Sequence, residues 1–157
     1  MRRGARESVS ERARPPNAVL DANVLARFVL TPLGFTARLL DAIEAGNFVL
    51  ITSEAILGEV ADLLGRPHVQ RYGPFPAKEI EAYARVLRRL GHVVRGRYTV
   101  FAVPHDPRDN HVLAAALEGN ADFVVTDDRK HLLPLKHYHR IQIVSVPDFL
   151  RHHVPQP

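Results

Sequence analysis

Short apolar runs separated by stretches of helical periodicity constrain this chain more than any other feature. Ala18-Val19-Leu20 has the length and bulk of a buried strand, stopped by Asp21. Val24 to Leu30 forms a short helix ending before Pro32, and Phe35 to Ala45 carries Leu39, Leu40 and Ile43 at helical spacing, with Gly46 at its C-terminal end. Phe48 to Ile51 reads as a second strand. Ser53 then N-caps a helix holding Ile56, Leu57, Val60, Leu63 and Leu64, closed by Gly65. Residues 66–76 read as loop, and Pro76 suits the first turn of a helix that ends at Gly91. Residues 92–101 hold one or two β-like stretches. Asp109 is placed to cap a helix through Leu117, closed by Gly119, and Phe123–Val125 and Ile141–Val144 are strands. A short last turn begins at Asp148.

Strands alternating with helices of 10–15 residues indicate βαβ units, hence an α/β fold with three layers, α/β/α, around a mostly parallel central sheet. Right-handed crossovers bring the carboxyl ends of such strands to one edge, where ligands bind. The length of 157 residues suits a single domain. The sequence divides it as a basic arm (1–16), a domain (17–151) and a short tail (152–157). The arm holds five Arg against two Glu, so three of the four net positive charges lie there and the domain itself is nearly neutral. The absence of Cys excludes disulfides, thiol catalysis and cysteine-ligated metals. No apolar run approaches the ~18 residues of a membrane span, and the polar N-terminus does not resemble a signal peptide, so a soluble cytoplasmic protein is expected.

Four acids fall at the carboxyl edge of the expected sheet. Asp21 follows strand one, Glu59 stands about one and a half turns beyond Ser53, Asp109 opens a helix, and Asp128 follows the strand Phe123–Val125. Asp109 has an ordinary reading as an N-cap, Asp128 as a turn residue, and Glu59 as a solvated flank. Asp21 has few structural reasons to close a buried strand. Converging carboxylates repel one another unless a cation neutralises them. Oxygen ligands without Cys suit Mg²⁺ or Mn²⁺. The chemistry implied is metal-assisted phosphoryl transfer to water.

These residues resemble those of a known family. Val19-Leu20-Asp21-Ala22-Asn23-Val24-Leu25 is similar to the opening signature of PIN-domain ribonucleases, and Ser53 through Glu59 to their S-x5-E element. Asp106-Pro107-Arg108-Asp109-Asn110, leading into an Ala-rich helix, resembles their D-P-x-D-[DN] box. Ala121 to Asp128 resembles A-D-φ-φ-φ-T-x-D, and Ile141 to Leu150 resembles the ending of the bacterial, VapC-like toxins of toxin–antitoxin pairs. The resemblance runs from about Asn17 to Arg151. It implies a PIN fold, a Mg²⁺- or Mn²⁺-dependent endoribonuclease, an RNA substrate, a cognate antitoxin protein and a homodimer. The catalytic and metal-binding acids it implies are Asp21, Glu59, Asp109 and Asp128. Asp106 stands as the alternate for Asp109, and Asp127 for Asp128.

Asn23, Ser53 and Thr126 are supporting residues, Ser53 also having its capping role. Arg108, Arg129 and Lys130, with His131 beside them, are candidate RNA phosphate contacts, or an ordinary solvated loop. Asn110 reads as a turn residue. His137 and His139 are spaced to share a strand face, but neither they nor His152-His153 form a metal motif. Val24, Phe28, Leu39 and Leu40 read as core or dimer packing. Three alternatives differ in class. A phosphatase with an Asp nucleophile wants a second Asp where Asn23 stands. A DNA flap-type nuclease needs gripping elements for which the chain has little room. A non-enzymatic RNA-binding or scaffolding PIN module would keep the fold without turnover.

Overall fold

Asn17–Leu20 forms β1, in the interior of the sheet, and Ala18, Val19 and Leu20 are each fully buried. Small and branched apolar side chains without polar groups let β1 pack on both faces, as a strand between two helical layers must. The computed structural model describes residues 14–31, 34–71, 75–104 and 106–156. All but the last three residues of the basic arm lie outside them.

Among the described residues, β1 is followed by α1 (Ala22–Leu30), α2 (Phe35–Glu44), β2 (Val49–Ser53), α3 (Glu54–Leu64), the short α4 (Pro67–Gln70), α5 (Ala77–Leu90) and β3 (His92–Val94). The second half continues with α6 (Pro107–Glu118), β4 (Phe123–Val125), a 3-10 turn (Leu133–Leu135), β5 (His137–Tyr138), β6 (Ile141–Val144) and α7 (Val146–His153). The sheet order is β3-β2-β1-β4-β6-β5. Every neighbouring pair is parallel except β5 with β6. Helices cover both faces, α2 packing on α7 and α3 packing on α1, α5 and α6. The expected three-layer α/β/α architecture is therefore observed.

The strand order reverses direction between β1 and β4, the position at which open α/β sheets form a crevice. The register there pairs Leu20 with Val125, and the ladder continues through Asp21 N–H to Val125 O (3.1 Å) and Thr126 N–H to Val144 O (3.0 Å). Asp21 and Thr126 thus leave adjacent strands side by side.

Several local expectations are corrected. Residues 66–76 are not loop throughout, because Pro67 starts the single turn α4. Of residues 92–101 only His92–Val94 pairs into the sheet. His139 has φ 54° in the tight turn between β5 and β6, so it does not share a strand face with His137. Val24 and Leu39 are core residues, fully buried, and Phe28 is nearly so. The last helix begins at Val146, capped by the Ser145 hydroxyl, and runs past Arg151 to His153, whose ring lies 4.2 Å from that of Phe123.

The C-terminus of α6 approaches β2 closely. A Cβ on Gly119 would stand 2.5 Å from Ile51 Cγ2, with Val94 Cγ1 at 3.2 Å behind it. Ile51 is buried in the middle of a strand and has no free direction in which to yield. Gly119→Ala is therefore expected to lower stability by roughly 1–3 kcal/mol through overpacking. A urea midpoint unchanged from that of the parent protein would contradict this reading of the contact.

Candidate metal centre

The acids reach the carboxyl edge by three different local routes. Asp21 ends β1 and stands at the N-cap of α1, and burial leaves it only 6% exposed. Its Oδ2 accepts a hydrogen bond from Thr126 Oγ1 at 2.8 Å, and the same hydroxyl oxygen accepts from the Asp128 amide at 3.0 Å. One fully buried threonine so ties together the two acids on either side of the switch point. Asp128 Oδ1 in turn accepts from the amides of Lys130 (2.9 Å) and His131 (3.1 Å), which closes the turn after β4.

The second route is the N-terminus of α6, and it differs from the sequence expectation. Asp106, not Asp109, is the N-cap; its Oδ1 accepts from Arg108 N at 3.0 Å, and Pro107 occupies the first helical position. Asp109 lies within the first helical turn and is buried. Both acids of the box face the cavity between the strands' ends. The positive end of the helix dipole favours carboxylates here. Asn110, within the helix rather than in a turn, clamps the preceding loop by exchanging two bonds with the backbone of Val103.

The third route is α3. Ser53 ends β2 and caps the helix by accepting from Ile56 N at 3.3 Å, as expected. Glu59 then points across to α6, where its Oε1 lies 2.7 Å from His111 Nδ1.

A cavity of about 80 Å³ opens between these routes, lined by Asp21, Glu59, Asp106, Asp109 and Asp128, with Asn23 and Arg108 at its rim. Asn23 lies in the first turn of α1 and is exposed. Asp127 takes a different place: its Oδ2 pairs with Arg27 Nη1 at 2.6 Å, and it does not line this cavity. Asp62 and Arg66 do line it, and His111 orients one of its acids, although the sequence pattern singles out none of the three. For Asp62 a signal exists, since it follows Glu59 by three positions on one helix and so shares its face. His111 has none, because its partner lies 52 residues away.

Electrostatics mark the cluster as under strain without a cation. Burial raises the pKa of Asp21, with the Thr126 bond pulling it back. Burial likewise raises Glu59, against the pull of His111. Burial also acts on Asp106, but there the bonds from Arg108 outweigh it and hold the carboxyl below its ordinary range. Asp109 is pushed up to about 7 by burial first and by the neighbouring Asp128 and Asp106 next. Its Oδ2 is buried without a hydrogen-bond partner. An orphaned buried carboxylate oxygen among further carboxylates fits a hard divalent cation, which would supply the missing partner.

A larger groove of about 590 Å³ is lined by other residues of α6, Pro107 and His111 among them. Tyr98 and Phe101 line it and remain 52% and 83% exposed, and His111, which also lines it, is the residue that meets Glu59.

A family model described as PIN domain matches residues 17–130. No curated protein matches the chain. Among solved structures, the crystal structure of VapBC2 from Rickettsia felis bound to a DNA fragment from their promoter contains a similar chain. The two share 12% identity and superpose with a TM-score of 0.56, covering 82% of this chain and 98% of that one.

The pKa of Asp109 generates a prediction. A carboxyl whose folded pKa lies above its unfolded value of 3.8 binds its proton more tightly in the folded state. The stability this confers is complete below the unfolded value and is lost as pH rises through about 7. Without divalent ions, Asp109→Asn should therefore stabilise the protein at pH 8 by up to about 4 kcal/mol and much less at pH 4. Urea unfolding in EDTA at both pH values checks this, and an equal effect at the two would contradict it.

Proposed function

The chain belongs to the PIN-domain family, and on that premise we propose that it is a Mg²⁺- or Mn²⁺-dependent endoribonuclease hydrolysing RNA phosphodiester bonds. The observation that carries the proposal is the convergence of Asp21, Glu59, Asp106, Asp109 and Asp128 on one cavity at the sheet's switch point. A cluster so costly in the absence of a cation is difficult to explain as packing. The neighbouring groove supports single-stranded nucleic acid as the substrate.

Asp21, Asp109 and Asp128 would hold the ion, with Asp106 at hand beside Asp109. Once bound, the ion would supply Lewis-acid assistance to the attack of water on the scissile phosphate. The chain's own groups do the positioning. Thr126 fixes the Asp21 carboxylate, and the amides of Lys130 and His131 hold Asp128 by one oxygen. His111 holds Glu59 at the cavity wall, where its carboxylate orients water. Exposed Arg129 and Lys130 lie beside Asp128 and meet the RNA backbone as phosphate contacts. Arg108 divides its charge between Asp106, at 3.2 Å, and that same backbone.

Phe101 and Tyr98 offer ring faces on which bases flanking the cleaved bond stack. The likeness of fold to a chain of a VapBC2 complex supports a toxin role, with a cognate antitoxin protein as partner. We place the protein in the cytoplasm as a homodimer; no described helix is long and apolar enough to cross a membrane.

The test is cleavage of a single-stranded RNA with Mn²⁺, with Mg²⁺ and with EDTA. Cleavage should require the ion, and Asp21→Asn should lower it by at least about 100-fold while the variant stays folded. Metal-dependent cutting of DNA alone would move the substrate class, and binding of RNA without cutting would favour the scaffolding alternative. Phe101→Ala should weaken RNA binding by about 1–3 kcal/mol. It should leave thermal stabilisation by Mn²⁺ unchanged, and undiminished RNA affinity in this variant would remove the groove from the substrate path.

A further inference from the structure

We propose that His131 is a ligand of the metal centre, so that the site presents a mixed nitrogen and oxygen donor set and favours Mn²⁺ over Mg²⁺. The proposal rests on the metal reading given above and extends it to a residue outside the acidic set.

The turn after β4 aims this side chain. Asp128 Oδ1 accepts the His131 amide at 3.1 Å, which fixes the backbone and turns the ring towards α6. Nδ1 then lies 3.5 Å from Asp109 Oδ2 and 3.6 Å from Asp128 Oδ2. Those separations exceed the 2.7–3.2 Å typical of N–H···O hydrogen bonds, and the Asp109 oxygen has no hydrogen-bond partner. Donor atoms each about 2.0–2.2 Å from one ion stand about 3–4.4 Å apart, the range in which these atoms lie. Ligand atoms of Asp106, Asp109 and His131 all fall within 4.8 Å of one another. Asp109 is 8% exposed at its side chain, and its Oδ2 is buried, so bulk water does not satisfy that oxygen.

The chemical consequence follows from donor type. Mg²⁺ takes oxygen ligands and retains its waters, whereas imidazole nitrogen binds first-row transition ions more readily. Four carboxylates alone would discriminate little between Mg²⁺ and Mn²⁺. One neutral nitrogen in place of an oxygen tips the balance towards Mn²⁺.

Pulsed electron paramagnetic resonance of the Mn²⁺-loaded full-length protein tests the ligand directly, because a coordinated imidazole imprints nitrogen modulation on the Mn²⁺ signal. The parent protein should show that modulation, His131→Gln should lose it, and His111→Gln should keep it. Calorimetric titration should show Mn²⁺ affinity falling about tenfold or more in His131→Gln, with Mg²⁺ affinity changing less. Mn²⁺ bound with an oxygen-only spectrum would overturn this proposal and leave the metal-dependent nuclease standing. Modulation that disappears with His111 instead would also overturn it. A parent protein that binds no Mn²⁺ would overturn both.

Discussion

The hydrogen bond from Thr126 Oγ1 to Asp21 Oδ2 is the contact on which the site depends. It joins the ends of β1 and β4 where the sheet order reverses, and it does so away from solvent, since Thr126 is fully buried. The Leu20–Val125 register sets the two residues abreast. A one-residue slip would turn either side chain to the opposite face of the sheet. Because the same hydroxyl also receives the Asp128 amide, the placement of a third residue follows from the first two.

The energetic character of the site comes from what this scaffold forces together. Asp109 is brought in by α6 from the other side, and burial near Asp128 and Asp106 raises its pKa to about 7. The helix N-terminus and the Arg108 contact to Asp106 relieve part of the repulsion. The orphaned Asp109 oxygen shows that relief is incomplete. On the proposed reading, local stability is exchanged for a cation site, as is common where function demands local strain.

Much of this was legible in the sequence, because strand and helix periodicities differ and the acids sit directly at element ends. Asp21 is adjacent to its strand, and Ser53 stands at the junction of β2 and α3, so local pattern suffices for both. Pattern alone assigns the cap to Asp109, because both acids precede the same apolar helix, whereas Asp106 holds it. The decision rests on Pro107, whose fixed φ suits the first helical position and leaves Asp106 before it as the cap. Asp127 and Asp128 could not be separated by pattern alone, since Arg27, which draws Asp127 away, lies 100 residues distant. His111 and the orientation of His131 depend equally on tertiary placement. The single β3 stretch within residues 92–101 likewise reflects available neighbours: β2 accepts only His92–Val94 as a partner.

The central claim is that these carboxylates form the proposed cation site, where burial first and the neighbouring carboxylates next raise the pKa of Asp109. Binding a divalent ion to such a site must expel the proton that burial and the neighbouring carboxylates retain on Asp109. Calorimetric titration with Mn²⁺ in buffers of different ionisation enthalpy counts the protons released per ion. The account predicts release of a substantial fraction of a proton near pH 6.5, falling towards none at pH 8.5. Tight Mn²⁺ binding with no proton release at either pH would contradict it.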